Sequence, residues 1–505
     1  MGYLLAHDLG TSGNKATLFS IDGKMVKSVV HPYQTQFFNN TWAEQDADDW
    51  WQAVCRSTRA ILQGIDPEDV AVVSFSGQMM GCLCVDAQGK PLRKAIIWAD
   101  QRAVREMHDI KERIDEARFY AITGHRVSAS YTLQKLMWIK NNEPEVYANT
   151  DKVLNAKDYI LFKLTGRFVT DYSDGTGTNL VDLNTLRWSD EIISTMAIDG
   201  SKLPELHAST DVVGQVTAAA SAATGLSTRT KVVCGGGDGV CAAVGAGCVR
   251  EGVAYQVIGS SSWISLTTEK PVLDENRRTF NWAHIIPGYV APCGTMQSAG
   301  VSYSWLKNTI CASEVMAAEE RGISPYQLMD SAAEQSPAGA HGLLFLPYLM
   351  GERSPRWNPN ARGAFIGLKV EHKREDMIRS VLEGITLNMN IILDVFKQVV
   401  DIKELVVIGA GAKGRIWRQI MADIYGLNIL KMNVLEEATS MGAAVTGGVG
   451  AGLYKDFSVI DQYIHVEEIQ SPVSANRLKY QQLMPIFEAS YASLVQVYES
   501  LADLA

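Results

Sequence analysis

The chain has 505 residues, 47% hydrophobic and 20% charged, with 42 Gly and 15 Pro. That is the composition of an ordinary globular protein and excludes a disordered, collagenous or low-complexity chain; at about 100–200 residues per domain it suggests roughly three domains or two large ones. Its 46 basic and 56 acidic residues give a net charge of −10, which argues against general binding of nucleic acid or anionic membrane but leaves room for a local phosphate pocket.

The opening residues carry no signal-peptide pattern of basic region, apolar core and small-residue cleavage site. Residues 3–8 read as a strand, Leu9-Gly10-Thr11-Ser12-Gly13 as a small-residue turn, and 15–20 as a second strand. Asp22-Gly23 then makes a hairpin turn, since both positions tolerate positive φ, and 24–31 completes a meander. From 46 to 62 the apolar spacing becomes helical, with Trp50, Val54 and Ile61 on one face and Asp46 or Asp48 as N-cap. Strand 70–75 leads into Gly77-Gln78-Met79-Met80-Gly81 and a return strand 82–86. Helices are expected over 101–117, 130–141 and 157–164.

Residues 232–249 form the longest stretch that resembles a membrane span, but six glycines and Asp238 argue against lipid. Residues 252–266 repeat the opening pattern of strand, small polar turn and strand, with Gly259-Ser260-Ser261 as the turn. The echo implies two related halves dividing near 245–250, with no Pro- or Ser-rich linker and therefore a shared interface. Strand 405–408 then enters Gly409-Ala410-Gly411-Ala412-Lys413-Gly414 and an amphipathic helix over 415–425, and the last thirty or so residues read as helix. The 8 cysteines contain no CxxC pair and read as buried free thiols of a reducing compartment, while the 9 histidines show no ligand spacing for a structural metal.

Three glycine-rich turns can carry chemistry. At the first, Asp8 ends a strand beside backbone N–H groups and the hydroxyls of Thr11 and Ser12, which suit phosphate oxygens; Asp8 would act through Mg²⁺. The same turn could equally satisfy only its own backbone. At the second, Asp238 follows three glycines and is the only charge in 232–249. An unpartnered carboxylate there is costly, which points to catalysis, and an N-cap for a helix beginning near Val240 is the alternative; both can hold. The third, 409–414, is formally GxGxxG, the context of a dinucleotide fold, yet little chain remains to complete one and Asn433, Glu436 and Glu437 come late for its acidic partner. The loop could as well pack against an adenosine. No Walker A, HRD, DFG or GxSxG motif occurs. Trp50-Trp51 and Met79-Met80 are pocket walls or plain core.

Together these segments resemble the FGGY family of carbohydrate kinases, within the actin-like ATPase superfamily, over about residues 3–455. Trp42-Ala43-Glu44-Gln45-Asp46 with Trp50-Trp51 is similar to an early family segment. The run from Ser130 to Asn142, and Gly363 to Leu368 continued by Asp376-Met377 and Ser380 to Glu383, match two long family signatures. Gly351-Glu352-Arg353-Ser354-Pro355, with Asn358-Pro359 and Ala361-Arg362-Gly363, resembles the xylulokinase branch.

The resemblance implies an α/β fold of two RNase H-like (actin-like ATPase) domains around a central interdomain cleft, 1–247 on the sugar side and 248–505 on the ATP side. It implies an ATP- and Mg²⁺-dependent kinase of a ketopentose, xylulose foremost, with ribulose, erythritol or glycerol as alternatives. In that pattern Asp238 is the general base and Asp8 orients the Mg²⁺. Gly10, Thr11, Ser12 and Lys15, with Gly259, Ser260 and Ser261, face the phosphates; Gly409, Ala410, Gly411, Ala412 and Lys413 border the adenosine. Gln78, Met79, Met80, Trp98, Asp100 and Gly239 join Asp238 around the sugar, with Arg102 nearby. Xylulokinases typically carry His where Met80 stands and Asn where Gly239 stands. Both changes remove polar groups from the sugar side, leaving the transfer chemistry intact and the sugar open. The expected partners are a small sugar and ATP, with no nucleic acid or membrane, a homodimer allowed and a cytoplasmic location. Two readings from other classes are an NAD-dependent dehydrogenase built on 409–414 and a non-catalytic nucleotide switch.

Overall fold

The computed structural model describes residues 2–433 and 437–504; Glu436 lies outside the described residues. Two sheets organise the chain, and each grows from a hairpin closed by one of the small-residue turns. In the first, Tyr3–Leu9 pairs antiparallel with Gly13–Ser20, setting Leu5 opposite Leu18 and Asp8 opposite Lys15. Leu4, Leu5, Ala6, Ala16, Leu18 and Phe19 are all buried; the hairpin is covered on both faces, which is why its apolar residues run on rather than alternate. In the second, Ala254–Ile258 pairs antiparallel with Ser262–Leu266.

Both sheets are extended in the same order. Beside the hairpin's first strand lies a parallel strand, Val70–Gly77 or Glu404–Ile408. A second parallel strand follows, Lys231–Val233 or Asn428–Met432, then an antiparallel edge, Val212–Gln215 or Val466–Gln470. On the other flank each sheet adds an antiparallel strand, Met25–Pro32 or Val290–Met296, and the second sheet gains one more, Phe280–Ala283. The repeat read at 252–266 is the sequence trace of this shared topology.

The halves meet through packed helices. Asp238–Gly245 crosses Ala438–Gly450 at glycines: a Cβ on Gly245 would lie 1.7 Å from the Ala438 carbonyl oxygen, and one on Gly442 1.9 Å from that of Cys241. Only glycine allows such backbone contact. The apolar stretch 232–249 is thus a strand and helix at the centre of the molecule. Among the described residues no helix is long and apolar enough to cross a membrane.

Local expectations hold with one clear change. The helix Ala47–Ile61 starts from Asp46, whose carboxylate accepts the Asp48 N–H at 3.0 Å. The helix expected over 101–117 is instead two, Val104–Arg113 and Glu116–Thr123, because Asp115 accepts the Arg118 N–H at 2.9 Å and caps a new start. Thr132–Asn142, Ala156–Thr165, Arg415–Tyr425 and the long Ser474–Ala502 fall where helices were read. All eight cysteines are buried and free.

Candidate active site

The first hairpin's turn, the start of the helix Asp238–Gly245 and the second half come together at one place. Lys15 Nζ lies 2.8 Å from Glu437 Oε1, at the head of Ala438–Gly450, and the Tyr255 hydroxyl donates to the Gly239 carbonyl. Asp8, the penultimate residue of its strand, is half-buried, with Oδ1 accepting from Ser76 Oγ at 2.9 Å. Burial raises its carboxyl above the usual range; Ser76 and Lys15 oppose this and Glu437 adds to it.

Asp238 is the first residue of its helix, with Gly237 in the cap position, so the expected cap before a helix starting near Val240 is displaced by one turn-edge glycine. Its Oδ1 accepts the Gly239 N–H at 2.8 Å. Burial, followed by the like charge of Asp8, pushes it up to about 7, where a carboxylate becomes an effective proton acceptor near neutrality. The preceding glycines are sterically required. A Cβ on Gly235 (φ +73°) would lie 2.1 Å from the Phe75 carbonyl oxygen, and one on Gly237 2.4 Å from Met79 Sδ.

Beneath this loop is a charged scaffold with no sequence signature. The Gly237 N–H donates to Ser173 Oγ at 2.9 Å, and that hydroxyl donates to Asp171 Oδ2 at 2.5 Å. Asp158, Asp171 and Asp174 surround the fully buried Lys157 ammonium at 2.9, 3.1 and 3.4 Å. Burial disfavours that charge, but the three carboxylates outweigh it and hold Lys157 well above its ordinary value.

Gln78 and Trp98 join the first turn through one hydrogen-bond network. Trp98 Nε1 donates to Thr11 Oγ1 at 2.9 Å, Gln78 Nε2 to Gln45 Oε1 at 2.7 Å, and Gln45 Nε2 to the Thr11 carbonyl at 2.6 Å. Gln78 Oε1 and the Tyr131 hydroxyl are buried polar atoms without a partner among the described residues, the kind of group that a polyol hydroxyl satisfies. Met79 and Met80 share an apolar cluster with Tyr131 and Trp282, so they are wall and core at once. Met80 adopts φ 62°, uncommon for a residue with a side chain. Lys135, from the first long signature, holds that carbonyl: its buried ammonium donates to Met80 O at 2.8 Å and to Ser130 O at 2.5 Å. Burial lowers Lys135 to about 7, with Asp100 opposing.

Asp100 requires a correction. It is fully buried, and its Oδ2 accepts the Ala43 N–H at 2.6 Å and Arg102 Nη2 at 2.7 Å. The Arg102 guanidinium stacks 3.8 Å over Trp42. Both charges are spent on each other and on the early WAEQD segment, so neither is a free sugar ligand. On the opposite side, buried Glu352 accepts the Gln297 and Arg353 N–H groups at 2.7 and 2.8 Å and Asn388 Nδ2 at 2.9 Å. This fixes the loop that carries Arg353, whose charge acts on Tyr131 and Cys293.

In the second half a cavity of about 680 Å³ is lined by Gly259, Ser260, Ala410, Gly411 and Lys413, which brings the second hairpin's turn and the 409–414 loop to one space. Gly300 joins them: its N–H donates to Gly259 O at 3.0 Å, and a Cβ there would lie 2.3 Å from the same oxygen. Ser261, Gly409 and Ala412 shape the cavity from behind. Ser261 O accepts the Gly259 N–H at 2.9 Å, Gly409 lies against Ile258 with φ +88°, and Ala412 is buried with its carbonyl taken by Arg418 Nη1 at 2.6 Å. Residues 410–413 form a short 3₁₀ turn. Tyr303, Tyr326, Asp330 and Trp417 also line the cavity; sequence reasoning missed them because no glycine or spacing marks them.

The models of the FGGY family of carbohydrate kinases match here, the N-terminal domain over residues 3–245 and the C-terminal domain over 254–451. A gluconokinase of Bacillus licheniformis is 32% identical over 99% of this chain and 98% of its own. A xylulose kinase of Staphylococcus xylosus is 34% identical over 97% of this chain and 100% of its own. The solved structure of a ligand-bound xylulose kinase from Lactobacillus acidophilus superposes with a TM-score of 0.93 at 28% identity, covering 99% of this chain and 100% of that one.

Proposed function

The chain belongs to the FGGY family of carbohydrate kinases, and from that premise we propose that it transfers the γ-phosphoryl group of ATP to a hydroxyl of a ketopentose, xylulose foremost. The observation that carries the reading is Asp238: a carboxylate pushed up to about 7, set at a helix start beside Asp8 and the Met79 wall. Asp238 takes the proton of the sugar hydroxyl as that oxygen bonds to the γ-phosphorus. The bond from phosphorus to the bridging oxygen breaks and ADP leaves, so the products are ADP and a sugar phosphate. Little covalent chemistry is asked of the protein, and its contribution is alignment and charge placement.

On this reading residues 1–247 hold the sugar and residues 248–505 the nucleotide. Backbone N–H groups of Thr11 and Ser12, and of Ser260 and Ser261, cradle the phosphates, those of Gly10 and Gly259 donating to the Gly13 and Ser261 carbonyls inside their turns, and the 409–413 turn borders the adenosine. Lys15 stands across from Asp8 and is steadied by Glu437. A bound Mg²⁺ would neutralise phosphate charge. Asp8 fits as its contact on the protein side, since Ser76 engages only Oδ1. Among the described residues no group of three metal-ligating side chains exists; Mg²⁺ usually keeps several waters and is bound through one or two carboxylates and substrate phosphates, the role Asp8 would fill.

A second reading, a sugar acid such as gluconate, is favoured by the gluconokinase relative and by Arg353, a cation acting on the Tyr131 wall where a carboxylate could be met. An ADP-release assay with xylulose, ribulose, erythritol, glycerol and gluconate separates the two. The expected result is fastest release with xylulose. Fastest release with gluconate establishes the second reading, and no rise above basal hydrolysis with any sugar contradicts both.

A further inference from the structure

The nucleotide cavity holds a carboxylate that phosphate binding cannot use. Asp330 stands on the helix Pro325–Gln335; its Oδ1 accepts from the Tyr303 hydroxyl at 2.8 Å, and among the described residues its Oδ2 has no hydrogen-bond donor. It lines the same cavity as Gly259 and Ser260, but it sits against the 409–414 loop. Gly414 has no side chain, and the Asp330 carboxyl occupies the space one would take: a Cβ on Gly414 would lie 2.7 Å from Oδ2. Asp330 therefore places a carboxylate at the mouth of the helix Arg415–Tyr425, in the space beside Gly414.

The chemistry narrows what this group can meet. A carboxylate accepts hydrogen bonds and donates none, and its charge repels phosphate. Away from the phosphates, ATP offers two kinds of donor, the ribose hydroxyls and the exocyclic amine. Tyr303 packs against Tyr326 and Trp417 at ring-centroid distances of 5.3 and 5.7 Å, so the acceptor lies in apolar aromatic surroundings where a charge-assisted hydrogen bond is strong. Burial raises the carboxyl to about 6, with the Tyr303 hydrogen bond opposing, which leaves it ionised at neutral pH.

We propose that Asp330 is the nucleoside-selecting residue of this kinase, its Oδ2 accepting an N–H or O–H of the nucleoside. The proposal rests on the kinase reading above. It is tested by calorimetric titration of wild type, Asp330→Asn and Tyr303→Phe with ATP, ITP, 2′-deoxy-ATP and 3′-deoxy-ATP, beside steady-state kinetics. Asp330→Asn is expected to weaken ATP binding about tenfold or more, the scale of a lost hydrogen bond to a charged group, with the sugar KM unchanged. Tyr303→Phe, which keeps the carboxylate, is expected to weaken it less. A variant that no longer separates ATP from ITP assigns the donor to the amine, and one that no longer separates ATP from the deoxynucleotides assigns it to the ribose. Equal ATP affinity in wild type and Asp330→Asn, or a larger loss in Tyr303→Phe, overturns the proposal. Absence of ATP binding by wild type overturns the kinase reading itself.

Discussion

Replacing Asp238 by Asn should separate stability from catalysis in a way that depends on pH. The folded-state carboxyl titrates at about 7, against an ordinary 3.8. Because the folded value is raised, the folded protein binds the proton more tightly than the unfolded chain. The associated stability is complete below about 4 and is lost as pH rises through about 7. At about 1.4 kcal/mol for each factor of ten in proton affinity, the wild type is penalised about 3 kcal/mol more at pH 8 than at pH 5. Asparagine does not titrate, so the stability margin of Asp238→Asn over wild type should widen by that amount between the two pH values. Urea midpoints followed for each transition are the appropriate readout, since a chain with two halves need not unfold in one step. Turnover should fall by about 10²–10⁴-fold, the scale of a lost general base, while sugar binding persists. A margin that is the same at pH 5 and pH 8, or near-normal turnover, refutes the assignment.

Lys157→Met strands three buried carboxylates and should destabilise the first half by about 3–5 kcal/mol, read as a lowered thermal midpoint; an unchanged midpoint would show that the Asp158–Asp171–Asp174 cluster is neutralised otherwise. Gly442→Val forces a side chain onto the Cys241 carbonyl and should cost about 1–3 kcal/mol or more through overpacking, with loss of activity because the two helices that join the halves are pushed apart. A fully active, equally stable variant would mean that these helices do not cross closely. Lys135→Met releases the Met80 carbonyl and should raise the sugar KM about tenfold, the effect of a lost charged hydrogen bond, at an unchanged KM for ATP. An equal rise in both would deny it a role specific to the sugar side.

The hairpins were legible because a small-residue turn after a buried strand has few physical causes, and its recurrence at Gly259-Ser260-Ser261 signalled a second copy of the same unit. Asp238 was legible as a lone charge in an apolar run. The GxGxxG at 409–414 was ambiguous by itself, since a glycine after a strand serves any close approach; here Gly409 meets Ile258 of the neighbouring strand. Asp100 misled because the resemblance of its segment to a sugar-side region says nothing about the direction of this side chain, which is fixed by the Ala43 N–H and Arg102. Lys157 and Asp330 were invisible for the same reason. Their partners come from distant elements, and only the folded backbone brings Asp171 to Lys157 or Gly414 to Asp330.

The most direct measurement is a ³¹P spectrum of MgATP and xylulose incubated with the wild-type protein and, separately, with Asp238→Asn. The expected result is ADP and a sugar phosphomonoester in equal amounts with wild type, and both formed about 10²–10⁴-fold more slowly with the variant. ADP accompanied only by inorganic phosphate, or the phosphomonoester formed at a similar rate by both proteins, would contradict the claim that Asp238 delivers a sugar hydroxyl to the γ-phosphorus.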